Sequence, residues 1–123
     1  MILLHRVELP IELTNGNDGR GNRWFKPAGI RKKIEAVLRL TGQVRGKPFQ
    51  RGVLLRITRV LGVRQQLWDS DSIGRGNSKE LVDSLVAVGW FEDDGPKHIR
   101  ETQFAQYVPD KRGKPSVIVE VMQ

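Results

Sequence analysis

The chain has 123 residues, a formal charge of +7 at pH 7 and no cysteine. The length fits a single domain, and the lack of thiols excludes disulfide scaffolds, thiolate zinc sites and cysteine nucleophiles. No apolar run is long enough to span a bilayer, and the N-terminus shows no signal peptide. We therefore expect a cytoplasmic protein, with no membrane partner, that binds an anion.

The charge is divided unevenly along the chain. Residues 1–66 carry 14 Lys/Arg and 4 acids, for a net +10, whereas residues 67–123 carry 7 Lys/Arg and 10 acids, for a net −3. This division predicts a basic part that attracts a polyanion, joined to a part whose acidic residues bind a different ligand. The simpler interpretation is a solvated basic helix with a few surface acids.

The first half predicts a strand, a basic loop, a helix and a second strand. Residues 2–9 are rich in β-forming residues, and residues 14–23 have the Asn, Gly and Arg content of a loop. Pro27 opens a helix with apolar residues at helical spacing, which ends at Gly42. After a link that contains Gly and Pro, residues 53–60 alternate as a strand does.

The second half predicts a helix followed by two strands. Ser78 caps the helix, and Gly89 ends it. Residues 99–108 and 116–122 read as strands, and the short Gly/Pro turn between them predicts an antiparallel hairpin. The predicted fold class is α+β: one small two-layer domain over residues 1–123, in the order β-α-β-α-β-β, with a mixed sheet packed against helices.

Acidic residues flank the second helix. Asp69 and Asp71 precede it and, in an extended segment, point the same way; Glu92, Asp93 and Asp94 follow it. Converging carboxylates repel one another unless a cation lies between them, and ligands that offer only oxygen suit Mg²⁺. Such an ion can polarise a phosphoryl oxygen and activate water. The alternative is that these acids only cap the helix and form a turn.

Lys79 stands in the first turn of the second helix, where the helix dipole does not favour a cation. One interpretation is that its ammonium stabilises charge on a phosphate. The other is an ion pair with Asp83, one turn along the helix surface. On residue chemistry alone the surface pair is favoured.

Taken together, these features resemble the RusA family of Holliday-junction resolvases, which are small, dimeric, Mg²⁺-dependent endonucleases of bacteria and their phages. Residues 79–94, KELVDSLVAVGWFEDD, match without a gap the family's Lys-bearing helix, its aromatic turn and its DD pair. The opening strand that ends in Leu-Pro, the basic loop with Asn and the last strand agree as well, so the resemblance covers nearly the whole chain. The family's DxDN is DSDS here, at residues 69–72, and the following stretch is about one helical turn longer.

The resemblance implies a metal site and a dimer. Asp69, Asp71 and Asp94, with Asp93 as a further ligand, would bind Mg²⁺, with Mn²⁺ as a second ion that the site accepts. Lys79 would stabilise the charge that develops on the phosphate, so that Asp69, Asp71, Lys79 and Asp94 form the catalytic set. A homodimer associated with the nucleoid would cut opposed strands of a four-way junction.

Basic residues of the loop, the first helix and the link would bind the DNA backbone. They are Arg20, Arg23, Lys26, Arg31, Lys32, Lys33, Arg45 and Lys47. Two alternatives remain open: a non-catalytic DNA-binding member of the same fold, and a basic RNA-binding domain in which the acids are caps and turns.

Overall fold

The structure, a computed structural model, describes residues 1–13, 27–68 and 78–123. Within these ranges the elements follow the predicted order, β-α-β-α-β-β, and the α+β class is confirmed. The elements are β1 (Leu3–Leu9), α1 (Pro27–Leu40), β2 (Val53–Val60), α2 (Ser78–Ala87), β3 (Ile99–Tyr107) and β4 (Ser116–Met122). None of the helices in these ranges is long and apolar enough to cross a membrane.

The four strands form one mixed sheet in the order β1-β4-β2-β3. β2 and β3 are parallel, whereas β4 is antiparallel to both of its neighbours, β1 and β2. The predicted β3–β4 hairpin is therefore wrong. Val117, Val119 and Val121 are fully buried along β4, so this strand takes a central position, whereas the more polar β3 lies at the edge. The turn between them crosses the end of β2.

The two ends of the sheet differ in which strands begin and stop there. We call the end at which β2 and β3 begin the entry end, and the end at which β1, β2 and β3 stop the exit end. Val53 pairs with Ile99 at the entry end, and Val60 pairs with Tyr107 and Ser116 at the exit end. The connections that follow β1, β2 and β3 therefore all start at the exit end.

The hydrophobic core lies between one face of the sheet and the two helices. Alternation along β2 directs Val53, Leu55 and Ile57 to this face. The helices cover it with apolar residues at helical spacing, namely Ile34 and Leu38 of α1 and Leu81 and Leu85 of α2. The helices also contact each other, since Ser84 Oγ donates to the Arg31 carbonyl at 3.2 Å. The result is the two-layer arrangement that the sequence predicts.

Candidate functional site

The acidic turn, which we define as residues 92–94, directly follows two buried aromatic residues. Trp90 and Phe91 are 0% and 2% exposed, whereas all three acids are exposed. The Asp94 amide donates to Asp93 Oδ1 at 2.8 Å, which orients that carboxylate. Glu92 lies 4.0 Å from the guanidinium of Arg51. Among the described residues, the two aspartates form no ion pair, so their carboxylates are accessible to a cation from solvent.

An aromatic cluster of His5, Phe49, Trp90 and Phe91 holds the acidic turn in place. The ring centres of His5 and Trp90 are 5.0 Å apart, and those of Phe49 and Trp90 are 5.7 Å apart, both edge to face. Trp90 Nε1 donates to the Gln43 carbonyl at 2.7 Å, and His5 Nε2 lies 2.8 Å from Gln43 Oε1. Trp90 is therefore packed within one chain.

The link between α1 and β2 is fixed against the chain that precedes the acidic turn. The Arg45 amide donates to the Val88 carbonyl at 2.9 Å, and the Phe49 amide donates to the Trp90 carbonyl at 2.8 Å. Gly89 has a φ of +91°, and a Cβ there would overlap the Arg45 carbonyl oxygen. The structure therefore brings Arg45, a predicted DNA contact, to the same end of the sheet as the acidic turn.

Arg45 and Lys47 occupy defined positions in this link. The Arg45 guanidinium lies 3.6 Å from the centre of the Phe49 ring, and its Nε donates to the Lys47 carbonyl at 3.1 Å. Lys47 is exposed and Arg45 is half-buried. This geometry leaves positive charge at the same end of the sheet as the acidic turn.

Lys79 and Asp83 do not form the predicted ion pair. Lys79 is exposed in the first turn of α2, Asp83 is half-buried, and no ion pair joins them among the described residues. The ten residues of α2 span about 15 Å, and the helix ends beside the link that leads to β2. Lys79 therefore lies at the end of α2 that is remote from the acidic turn, and the structure does not bring it to Asp94 along the helix.

The cations of α1 face solvent. Arg31, Lys32 and Lys33 are exposed, as a DNA-binding role requires. Arg31 Nε lies 3.6 Å from Glu35 Oε1, one helical turn away, which engages part of its charge. Of the remaining predicted contacts, Arg20, Arg23 and Lys26 lie outside the described residues.

At the exit end, a buried arginine holds the segment that follows β2. Arg59 is 4% exposed, and its Nη1 donates to the Gln66 carbonyl and to Gln106 Oε1, each at 2.9 Å. Its Nε has no partner among the described residues. Burial lowers the pKa of the Arg59 guanidinium, and the negative charge of Glu12 opposes that shift.

Trp68 completes this group, which we call the Arg59 cluster (Arg59, Gln66, Trp68 and Gln106). The Arg59 guanidinium lies 3.7 Å from the centre of the Trp68 ring. Gln106 binds both backbone groups of Trp68, accepting from its amide at 2.9 Å and donating to its carbonyl at 3.0 Å. The cluster thus fixes the residue directly before Asp69.

The Arg59 cluster was not predicted from the sequence, although one signal for it exists there. Strict alternation along β2 places Arg59 on the same face as Leu55 and Ile57, which are both core residues. An arginine in a core register predicts a buried cation that needs polar partners. Those partners, however, come from residues 47 positions away on β3 and from the loop after β2, and their proximity is not visible in the sequence.

Trp68, the described residue directly before Asp69, and the acidic turn lie at opposite ends of the sheet. Arg59 lies six residues beyond Val53, so these ends are about 20 Å apart along β2. Asp69 and Asp71 themselves lie outside the described residues. Within the described ranges, no three acidic or histidine side chains form a group that could hold a metal.

Comparison of the chain with protein-family models finds no match, and comparison with curated proteins finds none either. Among the described residues, the groups that can act on a ligand include the accessible carboxylates of the acidic turn, the exposed Lys79 and the solvent-facing cations of α1.

Proposed function

We propose that the chain is a Mg²⁺-dependent endonuclease that cleaves branched DNA, in the manner that its resemblance to the RusA family implies. It would act as a homodimer in the cytoplasm, at the nucleoid. The observation that carries the proposal is the division of residues 79–94 between burial and exposure. Their apolar members Leu81, Leu85, Val88, Trp90 and Phe91 are buried, whereas Lys79, Asp93 and Asp94 are exposed and form no ion pair among the described residues.

This division supports a chemical role for the charged positions. A carboxylate or ammonium that serves the fold is usually paired or capping, but here the expected Lys79–Asp83 pair is not formed. The amide of Asp94 fixes Asp93 Oδ1, which leaves Asp93 Oδ2 and the Asp94 carboxylate free for a ligand. Oxygen donors of this kind fit Mg²⁺, which prefers carboxylates and water and keeps room for a substrate phosphate. When bound, the ion would supply an activated water and polarise the phosphodiester.

The chain's own residues would perform the remaining tasks. Asp93 and Asp94, together with Asp69 and Asp71, would hold the ion. Lys79 would stabilise negative charge on the phosphate, which requires the bound substrate to extend from the acidic turn to the start of α2. The cations of α1 and of the link would bind the DNA backbone, and so binding should weaken steeply with salt.

The test is cleavage of a labelled synthetic four-way junction, beside a linear duplex of the same sequence, with Mg²⁺ and with chelator. We expect symmetric nicks on the junction that need Mg²⁺. Asp94→Asn should lower their rate by about 100-fold or more, since it removes a charged metal ligand. Glu101→Gln, which neutralises an exposed carboxylate on β3, is the matched control and should cleave as the unmodified chain does.

The other outcomes would each contradict the proposal in a different way. Tight junction binding with no cleavage in any variant would show a non-catalytic DNA-binding protein. Preference for RNA, with no preference for junctions, would show an RNA-binding domain whose acids are caps and turns.

A second experiment tests whether Asp69 and Asp94 serve one ion. Ligands of the same ion act as a unit, so the double variant Asp69→Asn/Asp94→Asn should lose no more activity than either single variant. Multiplied losses would show that the two carboxylates act separately and would overturn the shared ion.

A further inference from the structure

The face of the sheet that points away from the helices carries charged side chains. Alternation along the strands places Arg6 and Glu8 of β1 on this face, because Val7 and Leu9 face the core. It likewise places Glu120 of β4 there, beside Arg56 of β2 at 3.9 Å. This surface lies opposite α1 and its cations, and the proposed cleavage of DNA does not use it.

At the exit end this face contains a cavity of about 330 Å³. Val60 and Ile118 line it with apolar surface, and Arg6, Lys111 and Lys114 contribute positive charge. Tyr107 also borders it and is 54% exposed, which leaves its ring available to a ligand. The volume lies at the lower limit of small-molecule pockets and suits one nucleotide unit.

The charge of the cavity favours an anion. Glu8 is the acid in its lining, and it accepts a hydrogen bond from Ser116 Oγ at 2.6 Å. Arg6, Lys111 and Lys114 take part in no ion pair among the described residues. Three cations against one engaged carboxylate leave a net positive site on the open face.

The turn that supplies the two lysines is fixed to the segment after β2. The Val63 amide donates to the Gly113 carbonyl at 3.0 Å, and Arg112 Nη1 donates to the Gln65 carbonyl at 2.8 Å. Gly62 approaches Pro115 so closely that a Cβ would lie 2.7 Å from the Pro115 nitrogen. Because the turn is held in this way, its lysines need less ordering when a ligand binds.

We propose that this cavity binds a phosphate group of a nucleic acid strand, with Arg6, Lys111 and Lys114 on the phosphate and Tyr107 against the sugar or base. The inference rests on the proposed function and extends it, since it gives the protein a second DNA contact on the face opposite α1. A protein that contacts DNA on both faces can hold two arms of a branched substrate. The exposed Tyr107 is suited to stacking on an unpaired base.

The test measures the salt dependence of binding to a labelled four-way junction by fluorescence anisotropy. Each lost phosphate contact should reduce the slope of log K against log salt by about 0.9. Lys111→Gln/Lys114→Gln removes two of the three cations that hold this one phosphate, and we therefore expect it to flatten the slope by about 0.9. The matched control, Lys97→Gln/Arg100→Gln, removes two exposed charges elsewhere and should change the slope by less than half as much. Equal slopes for the two double variants would overturn the inference.

Amide shifts in NMR spectra provide a second readout. A short single-stranded oligonucleotide should shift the amides of Leu61, Tyr107 and Lys114, which surround the cavity. If a free nucleoside monophosphate shifted the same amides with equal affinity, the site would be one for small phosphates and the inference would be wrong.

The two proposals can fail separately. Suppose that the unmodified chain binds junctions but cleaves nothing, and that Lys111→Gln/Lys114→Gln flattens the salt slope as expected. The endonuclease is then overturned and the phosphate site is supported. If the chain cleaves junctions, but the lysine double variant and its matched control have equal salt slopes, only the phosphate site is overturned. If the unmodified chain binds no DNA at all, both are overturned.

Discussion

At the entry end of the sheet, packed aromatic rings hold the acidic turn in place. At the exit end, hydrogen bonds hold the segment that follows β2. Trp90, which directs the acidic turn, is fully buried among His5, Phe49 and Phe91. At the exit end, Arg59 is nearly as buried, but its contacts are carbonyl and amide oxygens and one ring face. Apolar packing resists rearrangement because every void costs free energy. A polar cluster depends instead on every partner being present.

The two ends of the sheet should therefore respond differently to substitution. The acidic turn exposes its carboxylates while the rings beneath it fix the backbone, so a substitution in the turn should alter binding and leave the fold intact. At the exit end, Arg59 holds the segment that follows β2 and is itself buried. A substitution there should alter stability and the position of Trp68 together.

The largest expected effect is at the entry end. Trp90→Ala removes a fully buried ring and the hydrogen bond to the Gln43 carbonyl, and it should cost about 3–5 kcal/mol of unfolding free energy. Chemical denaturation measures the loss. Trp68→Ala is the counterpart at the exit end and should cost less, because Trp68 is only half-buried. Equal losses would contradict the view that apolar packing dominates the entry end.

Gly89→Ala tests the close approach of the link to α2. The new methyl group would overlap the Arg45 carbonyl oxygen at a φ of +91°, and we expect a loss of about 3 kcal/mol. The matched control is Gly42→Ala, which has a similar φ of +74° but nothing within 4 Å of the added carbon, and it should cost about 1 kcal/mol. If both variants lost the same stability, φ alone would explain the glycine and the close approach would be irrelevant.

The sequence predicts the entry end better than the exit end, for a physical reason. Burial of Leu81, Leu85 and Val88 follows from helical spacing, and the alternation of β2 identifies its core face. Such patterns are local in sequence. The pairing of β3 with β2 and the partners of Arg59 depend on residues far apart in the chain, and no local pattern distinguishes a hairpin from a turn that crosses another strand.

The candidate site shows the same division. Residues 79–94 predict which positions are buried and which are exposed, and the structure agrees with that part. The distance between Lys79 and the acidic turn is a different matter. The α2 helix, about 15 Å long, separates them, and the pattern of buried and exposed positions does not reveal that separation. The cavity at residues 107–118 was missed because its lysines come from a turn and its arginine from β1, more than a hundred residues earlier.

Arg59→Met should cost about 2 kcal/mol, because it leaves the Gln66 carbonyl without its charged donor and removes the contact with the Trp68 ring. Urea denaturation gives the stability, and hydrogen exchange at the Trp68 amide reports whether the segment loosens. Arg56→Met is the control on the same strand. Its guanidinium is partly exposed and binds Gln103, so it should cost less and leave the Trp68 amide protected. Similar results for both variants would show that the Arg59 cluster has no special role.

The smallest expected effect concerns Arg51, which lies beside the acidic turn. Arg51 and Glu92 are 67% and 62% exposed and 4.0 Å apart, a geometry that contributes less than about 0.5 kcal/mol. Arg51→Gln should therefore leave the unfolding free energy almost unchanged, both at low and at high salt. It should nevertheless strengthen cation binding at Asp93 and Asp94, because it removes a nearby positive charge. A calorimetric titration with Mg²⁺ measures that gain. A loss of stability larger than that of Arg59→Met would mean that surface charge, rather than the aromatic cluster beneath it, holds the turn.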